Sequence, residues 1–544
     1  METKSAHVDS FARDNLPPRE QWPEFRFTLP ALQYPARLNC VAELLDRHVA
    51  EGHGDRPCLI APGVEWSYAE LLDRVDRIAR VLVRDAGLVP GDRVLLRSAN
   101  NPMMVASYLA ALKAGAVVVA TMPLLRAKEL AFMIEKARVR LAICDARLLP
   151  DLEAAKAQVL EHILTFGGDT EADLEARMAA VPAGFAPVDT AAEDICLIGF
   201  TSGTTGVPKG TMHNHRDLLA ICDAYSRQVL QPNDSDRFIG SPPLAFTFGL
   251  GGLVLFPMRA GASTVLLERA SPSELLDGIE RFRPTISFTA PTAYRAMLAQ
   301  KAGRDLSSLR RCVSAGEALP AATFEAWCDA TGLEITEGIG ATEMLHIFIA
   351  SRPGAVRPGS TGTVVPGYEA KIVDDDFNEL PAGEAGRLAV RGPTGCRYLA
   401  DDRQRAYVHD GWNLTGDTYR RDADGYFWYQ ARSDDMIVSS GYNIAGPEVE
   451  NALLTHPAVQ ECGVVGVPDP DRGQIVKAYV VLKPGHVPDA ATRKALQDHV
   501  KAEIAPYKYP RAVEFLERLP RTETGKLQRF QLRRMATEAP AKAS

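Results

Sequence analysis

Between about residues 190 and 340, β-rich runs such as "DICLIGF", "STVLLE", "TISFTAP", "RRCVSAG" and "LEITEG" alternate with helix-like segments such as "SPSELLDGIERF" and "LPAATFEAWCDATG". This alternation restricts the chain to a layered α/β architecture, because such strands need helices to cover their faces. Residues 55–145 read the same way: "WSYAELLDRVDRIARVLV" has apolar residues at helical spacing, and "DRVLLRS" and "AVVVATM" read as strands. Past residue 355 the texture changes to hairpin material rich in Gly, Pro and Asp. From about 435 a small distal domain follows, with its own strands ("CGVVGVPD", "KAYVVLKPG", "AVEFLERLP") and a helix-like "ATRKALQDHVKAEI". The polar "ARSDD" at 431–435 is the expected boundary, and a hinge there lets about 110 residues move against the larger body.

A length of 544 residues calls for two or more cores. The formal net charge of −8 argues against a nucleic-acid footprint, which shows as a basic domain or stripe. Nine scattered cysteines with no CxxC pair point to neither a zinc site nor a disulfide framework, and fit a reducing cytoplasm. The N-terminus is polar and lacks the apolar core of a signal peptide. The apolar stretch 103–125 is divided by Lys113, Gly115 and Pro123, which suits a buried helix–turn–strand better than a bilayer span.

Two strings carry chemistry. "FTSGTTGVPKGTMHNH" (200–215) follows an apolar run and offers backbone N–H groups, hydroxyls and the Lys209 cation to a phosphate chain. It is not a Walker A loop, because five residues on from Gly203 stands Pro208. "GIGATEMLHIF" (338–348) sets Glu343 and His346 among apolar residues. It reads as a strand running through a glycine turn into a buried helix, where each polar side chain must find a partner.

"TSGTTGVPKG" resembles the signature loop of the adenylate-forming superfamily of acyl-CoA synthetases, peptide-synthetase adenylation domains and luciferases. In the same order along the chain, "SAGEALP" (314–320) is similar to the adenine-side loop and "GIGATE" (338–343) to the segment bearing a magnesium-associated acid. "TGD" (415–417) is similar to the ribose-binding turn, "YQARSDDMIVSSGYNIAGPEVE" (429–450) to the hinge region, and "PRTETGKLQR" (520–529) to the loop of the catalytic lysine. The resemblance implies an α/β fold in two parts. Residues 1–433 would form a large, multi-layered ATP- and acid-binding domain of β-sheets with helices and a small β-barrel-like part. Residues 434–544 would form a small mobile α+β lid, hinged at Asp434.

It also implies roles. Thr201, Ser202, Gly203, Thr204, Thr205, Gly206 and Lys209 would hold the phosphates of ATP. Gly316, Glu317, Gly338, Ile339, Gly340, Thr342, Asp417, Tyr429 and Arg432 would surround the rest of the nucleotide. Asp417 would accept hydrogen bonds from the ribose hydroxyls, a charge-assisted pairing. Glu343 and Thr205 would serve Mg²⁺, which needs hard oxygen ligands. Lys526 would bridge the substrate carboxylate and the α-phosphate as charge builds. Ser440, Gly441 and Tyr442 would face coenzyme A after the lid rotates. Two letters depart from the superfamily pattern: Ile339 stands where many members carry Tyr, and Ala431 where Gly is usual.

The acid is narrowed by "SPPLAFTFGLGGLVLFPM" (241–258), whose opening lines the acyl pocket in the superfamily. Phe246, Thr247, Phe248 and Gly249 supply no anion for an α-ammonium group, which would be costly to bury unpaired. The two phenylalanines crowd a long acyl chain and suit a ring. "DNLPPREQWPEF", "PPLAFTFGLGG" and "GIGATEMLHIF" resemble benzoate-CoA and especially 2-aminobenzoate-CoA ligases. The implied acyl pocket is Phe246, Thr247, Phe248, Gly249, Ile339, Gly340 and His346, with Thr247 offering its hydroxyl to an ortho-amino group. The expected protein is thus an AMP-forming 2-aminobenzoate-CoA ligase using ATP, Mg²⁺ and coenzyme A, cytoplasmic, a monomer or homodimer, with neither nucleic acid nor membrane as partner. The alternatives are a benzoate-CoA ligase, a medium-chain acyl-CoA synthetase and, in another class, a non-catalytic nucleotide-binding regulator.

Overall fold

The computed structural model describes residues 3–168, 170–201, 208–432, 435–439, 442–469, 472–504, 506–522 and 526–538. The layered α/β expectation holds: among the described residues the strands form a nine-stranded sheet, a six-stranded sheet and two five-stranded sheets.

In the six-stranded sheet the strands Arg93–Arg97, Val117–Thr121 and Leu141–Asp145 pair in parallel. They are nearly continuous apolar runs, as strands covered on both faces must be. Strand β1 (Ile195–Thr201) extends this parallel arrangement. Strand β2 (Lys209–Asn214) then turns back antiparallel on β1, with Thr201 opposite Lys209. The nine-stranded sheet repeats the device. Strand β3 (Ile335–Gly340) runs parallel to Arg311–Ala315, and strand β4 (Ile347–Ala350) returns antiparallel on β3.

"GIGATEMLHIF" is therefore a hairpin and not a strand leading into a helix. Only Thr342–Met344 makes a single 3₁₀ turn, and Leu345 at φ 68° reverses the chain. The tightness of the return rests on Gly340, where a Cβ would stand 2.8 Å from the His346 carbonyl oxygen. The strand expected from "STVLLE" is shorter than its apolar run, Ser263–Val265. The next residues, Leu266 and Leu267, are buried outside a ladder.

Helix Pro102–Lys113 packs against strands of both large sheets and is buried at every residue but Met103, so its apolar composition reflects a core and not a bilayer. Its one charge, Lys113, is matched by Asp76 at 2.5 Å and Asp46 at 2.7 Å, as a buried ammonium requires. No helix among the described residues is long and apolar enough to cross a membrane.

The first five-stranded sheet is antiparallel and includes β5 (Trp412–Arg421) and β6 (Phe427–Arg432), which set Asp417 opposite Arg432. The last sheet joins Ile437–Ser439, Tyr442–Ile444, Val459–Asp469, Gly473–Leu482 and Ala512–Phe515. It is covered by helices Gly446–Leu454 and Ala490–Glu503 around a separate core that includes Val449, Leu453, Val476, Val480, Leu496 and Val500. The N-terminal segment runs across the body. The Ala6 N–H donates to Asp194 at 2.9 Å, Asp9 pairs with Arg93 at 2.7 Å, Gln404 donates to the Gln21 carbonyl at 2.8 Å, and Glu24 pairs with Arg391 at 2.5 Å.

Candidate active site

The β1–β2 and β3–β4 hairpins face each other. Gly199 on β1 has no side chain, and a Cβ there would stand 2.9 Å from the Thr342 Cγ2 and 4.0 Å from the Thr247 Cγ2. The bare backbone thus lets the Thr342–Met344 turn and the start of helix Thr247–Leu250 close on β1. His213 of β2 fixes the same turn, its Nε2 lying 2.7 Å from the Thr342 carbonyl oxygen.

Glu343 is thereby carried to the foot of β2 and is only 7% exposed. Its Oε1 accepts a hydrogen bond from the Tyr398 hydroxyl at 2.5 Å and lies 3.3 Å from the Lys209 ammonium, which itself donates to the Tyr398 hydroxyl at 2.7 Å. Burial, with Cys396 and Glu343 nearby, pushes the Tyr398 phenol well above its ordinary pKa, so it remains a donor.

A second group of residues gathers at the β5–β6 pairing. Asp417 lies 3.1 Å from Arg432, which also donates to the Thr415 carbonyl at 3.1 Å. Gly416 between them is required twice over: its φ is 76°, and a Cβ would stand 2.7 Å from Arg432 Nη2. Burial raises the Asp417 pKa while Arg432 opposes it. Tyr429 on β6 packs edge-on against Tyr419 with ring centroids 5.4 Å apart.

The C-terminal segment closes over this group. Lys526 is seated over the turn at Gly316, where a Cβ would be 3.6 Å from the Lys526 Cε. Glu317 accepts from the Leu527 N–H at 3.3 Å and stands 3.7 Å from Arg521, which also pairs with Glu461 at 2.6 Å. The Lys526 side chain is open to the cleft yet walled by protein. Loss of solvent lowers its pKa, with Glu317 opposing.

The third group lies behind β3. Helix Thr247–Leu250 continues through Gly251–Leu255 into Phe256–Ala260. His346 rests against it, 2% exposed, with ring centroids 4.5 Å from Phe256, 5.7 Å from Phe248 and 5.7 Å from Tyr225. This seat exists because residue 251 is glycine: a Cβ there would be 2.3 Å from the His346 Cδ2. Neither imidazole nitrogen makes a well-formed hydrogen bond among the described residues. Burial pushes its pKa down to about 3, with only the Phe248 backbone opposing, so the ring is neutral. Gly249 is a packing glycine, since a Cβ would fall 2.2 Å from the Pro243 carbonyl oxygen. Phe246 is the extended residue preceding the helix, and Ile339 packs partly buried on the same core.

Residues 46–398 match the family of AMP-binding enzymes, and residues 448–526 match the AMP-binding enzyme C-terminal domain. The chain belongs to the AMP-binding enzyme family. It is an ATP-dependent ligase of the AMP-forming kind. It is 39% identical over 516 residues to a benzoate–CoA ligase of Thauera aromatica, covering 93% of this chain and 98% of that one. Among solved structures it resembles the anthranilate CoA ligase AuaEII in complex with anthranoyl-AMP, with TM-score 0.89 and 39% identity over 93% of this chain and 99% of the other. It also resembles a benzoate CoA ligase from Burkholderia xenovorans LB400, with TM-score 0.84 and 33% identity over 91% and 100% of the two chains.

In this AMP-binding enzyme the structure brings together Lys209 with Glu343, Asp417 with Arg432, Glu317 with the Lys526 segment, and Phe248 with His346. Ser202, Gly203, Thr204, Thr205, Gly206, Asp434, Ser440 and Gly441 lie outside the described residues, and Tyr442 opens the strand Tyr442–Ile444. Two residues escaped the sequence reading. Tyr398 stands 55 positions from Glu343, and no spacing links them. His213 did carry a signal, being a polar residue on a strand buried on both faces.

Proposed function

We propose that 2-aminobenzoate is the preferred acid of this enzyme, an aromatic acid–CoA ligase that draws on ATP, Mg²⁺ and coenzyme A. The observation that carries the choice of acid is His346: a buried, neutral imidazole in an aromatic cage, with no well-formed hydrogen bond among the described residues. Such an orphan costs about 1–3 kcal/mol, which a ring with a polar substituent relieves. Thr247, beside Gly199 at the mouth of the same helix, supplies a hydroxyl for an ortho-amino group. The similarity to an anthranilate CoA ligase supports this reading, and that to benzoate–CoA ligases supports unsubstituted benzoate as its rival.

The residues present fit Mg²⁺. Glu343 offers a hard carboxylate whose Oε2 carries no hydrogen bond among the described residues, and the ion takes its remaining ligands from phosphate and water. When bound, the ion neutralises phosphate charge. Asp417, aligned by Arg432, accepts the ribose hydroxyls. Lys209 at the foot of β2 turns its ammonium to the phosphates. Lys526 then stands between the acid and the α-phosphate and stabilises the charge that builds as the carboxylate attacks and pyrophosphate leaves. In the second half-reaction residues 434–544 turn about Asp434 against residues 1–433. That turn withdraws Lys526 and brings Ser440, Gly441 and Tyr442 toward the thiol. The nine free cysteines accord with a cytoplasmic enzyme.

AMP formation with and without coenzyme A, measured over benzoate, 2-aminobenzoate and octanoate, tests the proposal. The highest kcat/KM is expected for 2-aminobenzoate. Benzoate preferred about tenfold or more would overturn the substituent assignment, and octanoate preferred would overturn the aromatic one.

A further inference from the structure

Tyr398 is given no role by the sequence reading, yet its hydroxyl lies between the charges of Glu343 and Lys209. It donates to Glu343 Oε1 at 2.5 Å and accepts from Lys209 Nζ at 2.7 Å. It is also held unusually firmly. An isolated bridge pairs Tyr398 with Thr211 of β2, flanked by hydrogen bonds from the Met212 N–H to the Arg397 carbonyl and from the Leu399 N–H to the Gly210 carbonyl, both 2.8 Å. The Tyr398 N–H donates to Gln404 Oε1 at 2.9 Å, and Gln404 in turn donates to the Cys396 carbonyl at 3.1 Å and to the Gln21 carbonyl at 2.8 Å. The phenol ring is wedged edge-on against Tyr407, centroids 5.7 Å apart. The hydroxyl is therefore a fixed post on the same strand pair as Lys209, while Lys209 and Glu343 end in flexible side chains.

We propose that Tyr398 is a positioning residue for the metal-binding carboxylate: it pins one oxygen of Glu343, leaves Oε2 directed at Mg²⁺, and parks the Lys209 ammonium until phosphate draws it away. This rests on the assignment of Glu343 to Mg²⁺ made above. Without the post, Glu343 has only Lys209 to orient it, and their 3.3 Å ion pair is left to tighten unopposed, so that metal must break it. Outer-shell partners of this kind are worth about 10–100-fold in metal affinity.

The test is equilibrium binding of ATP by calorimetry, once with excess Mg²⁺ and once in EDTA, on the full chain and three variants. The readout is the ratio of the two dissociation constants, the metal-dependent gain. Tyr398→Phe, which keeps the ring and its packing, is expected to lower this ratio at least about tenfold while changing the EDTA affinity less than about threefold. Tyr407→Phe removes a neighbouring hydroxyl that has no partner among the described residues, and is expected to stay within about twofold of the natural chain. Glu343→Gln is expected to abolish the gain. An unchanged ratio in Tyr398→Phe alongside a lost gain in Glu343→Gln would overturn the role of Tyr398 alone. An unchanged gain in Glu343→Gln would overturn the metal assignment beneath it. Equal losses in Tyr398→Phe and Tyr407→Phe would reduce the effect to packing and also overturn the proposal.

Discussion

Glu337 precedes the Gly338–Glu343 segment on β3 and is buried. Its Oε1 accepts from the Leu319 N–H at 2.9 Å, in the loop that follows Gly316. Burial raises its pKa from 4.5 to about 8, the Leu319 hydrogen bond opposing only in part. The sign follows from linkage. A carboxyl whose folded pKa lies above its unfolded one contributes stability that is complete below the unfolded value and is lost as pH rises through the folded value. Between about pH 5 and about pH 7.5 the loss integrates to about 3 kcal/mol, from 1.36 kcal/mol per unit. Glu337→Gln keeps the acceptor for Leu319 and has no proton to lose, so its stability lacks this slope. With an unfolding entropy of about 0.9 kcal/mol/K for some 430 residues, the Tm of the variant relative to the natural chain rises by about 3 °C over the same interval. Differential scanning calorimetry of both proteins at the two pH values measures this, and groups that titrate alike in both cancel in the difference. A difference in Tm, variant minus natural chain, that is equal at both pH values or falls as pH rises would refute the reasoning.

Three further outcomes are expected. Lys526→Ala should lower acid-dependent pyrophosphate exchange by about 10²–10³, while thioester formation from supplied acyl adenylate falls far less; equal loss of both would contradict the alternation of the lid. Gly251→Ala forces a methyl to 2.3 Å from the His346 Cδ2. It should cost about 1–3 kcal/mol of packing and raise KM for the aromatic acid while leaving that for ATP within about twofold, read from initial rates with each substrate varied. Thr247→Ala should lower kcat/KM for 2-aminobenzoate by about tenfold relative to benzoate, measured as a ratio on one preparation; an unchanged ratio would remove Thr247 from substituent recognition.

Much of the framework is readable from local pattern. The interior strands announce themselves as apolar runs, and Lys113, Gly115 and Pro123 correctly part the buried helix from its strand. The segments proposed to hold the nucleotide are also readable, because each is a contiguous string. The pattern at 338–348 reads as a strand running into a helix, whereas the structure makes it a hairpin. Its apolar tail "MLHIF" has no period long enough to separate strand from helix, and what decides is the steric closeness of Gly340 to the His346 backbone. Tyr398 was invisible for a related reason: its importance lies in a contact made across the fold, and local propensity says nothing about such contacts. The consequence for His346 is the reverse. Its position among apolar residues marks it in the sequence, but only the structure shows that neither nitrogen is well hydrogen-bonded among the described residues, which separates it from a satisfied core histidine.

The N-terminal segment that straps the body sets a schedule for synthesis. Gln21 and Glu24 are made well before their partners Gln404 and Arg391, which lie 383 and 367 positions downstream. At about 5–20 residues per second the ribosome keeps them waiting roughly 20–75 s before either can engage. The apolar body and the Ala6–Asp194 and Asp9–Arg93 contacts can form meanwhile, but those of Gln21 and Glu24 cannot. These two contacts therefore close late on the nascent chain, and until they do residues 21–24 are more open to proteolysis. Through Gln404, whose Oε1 accepts from the Tyr398 N–H, the same late contact reaches the residue whose hydroxyl meets Glu343 and Lys209.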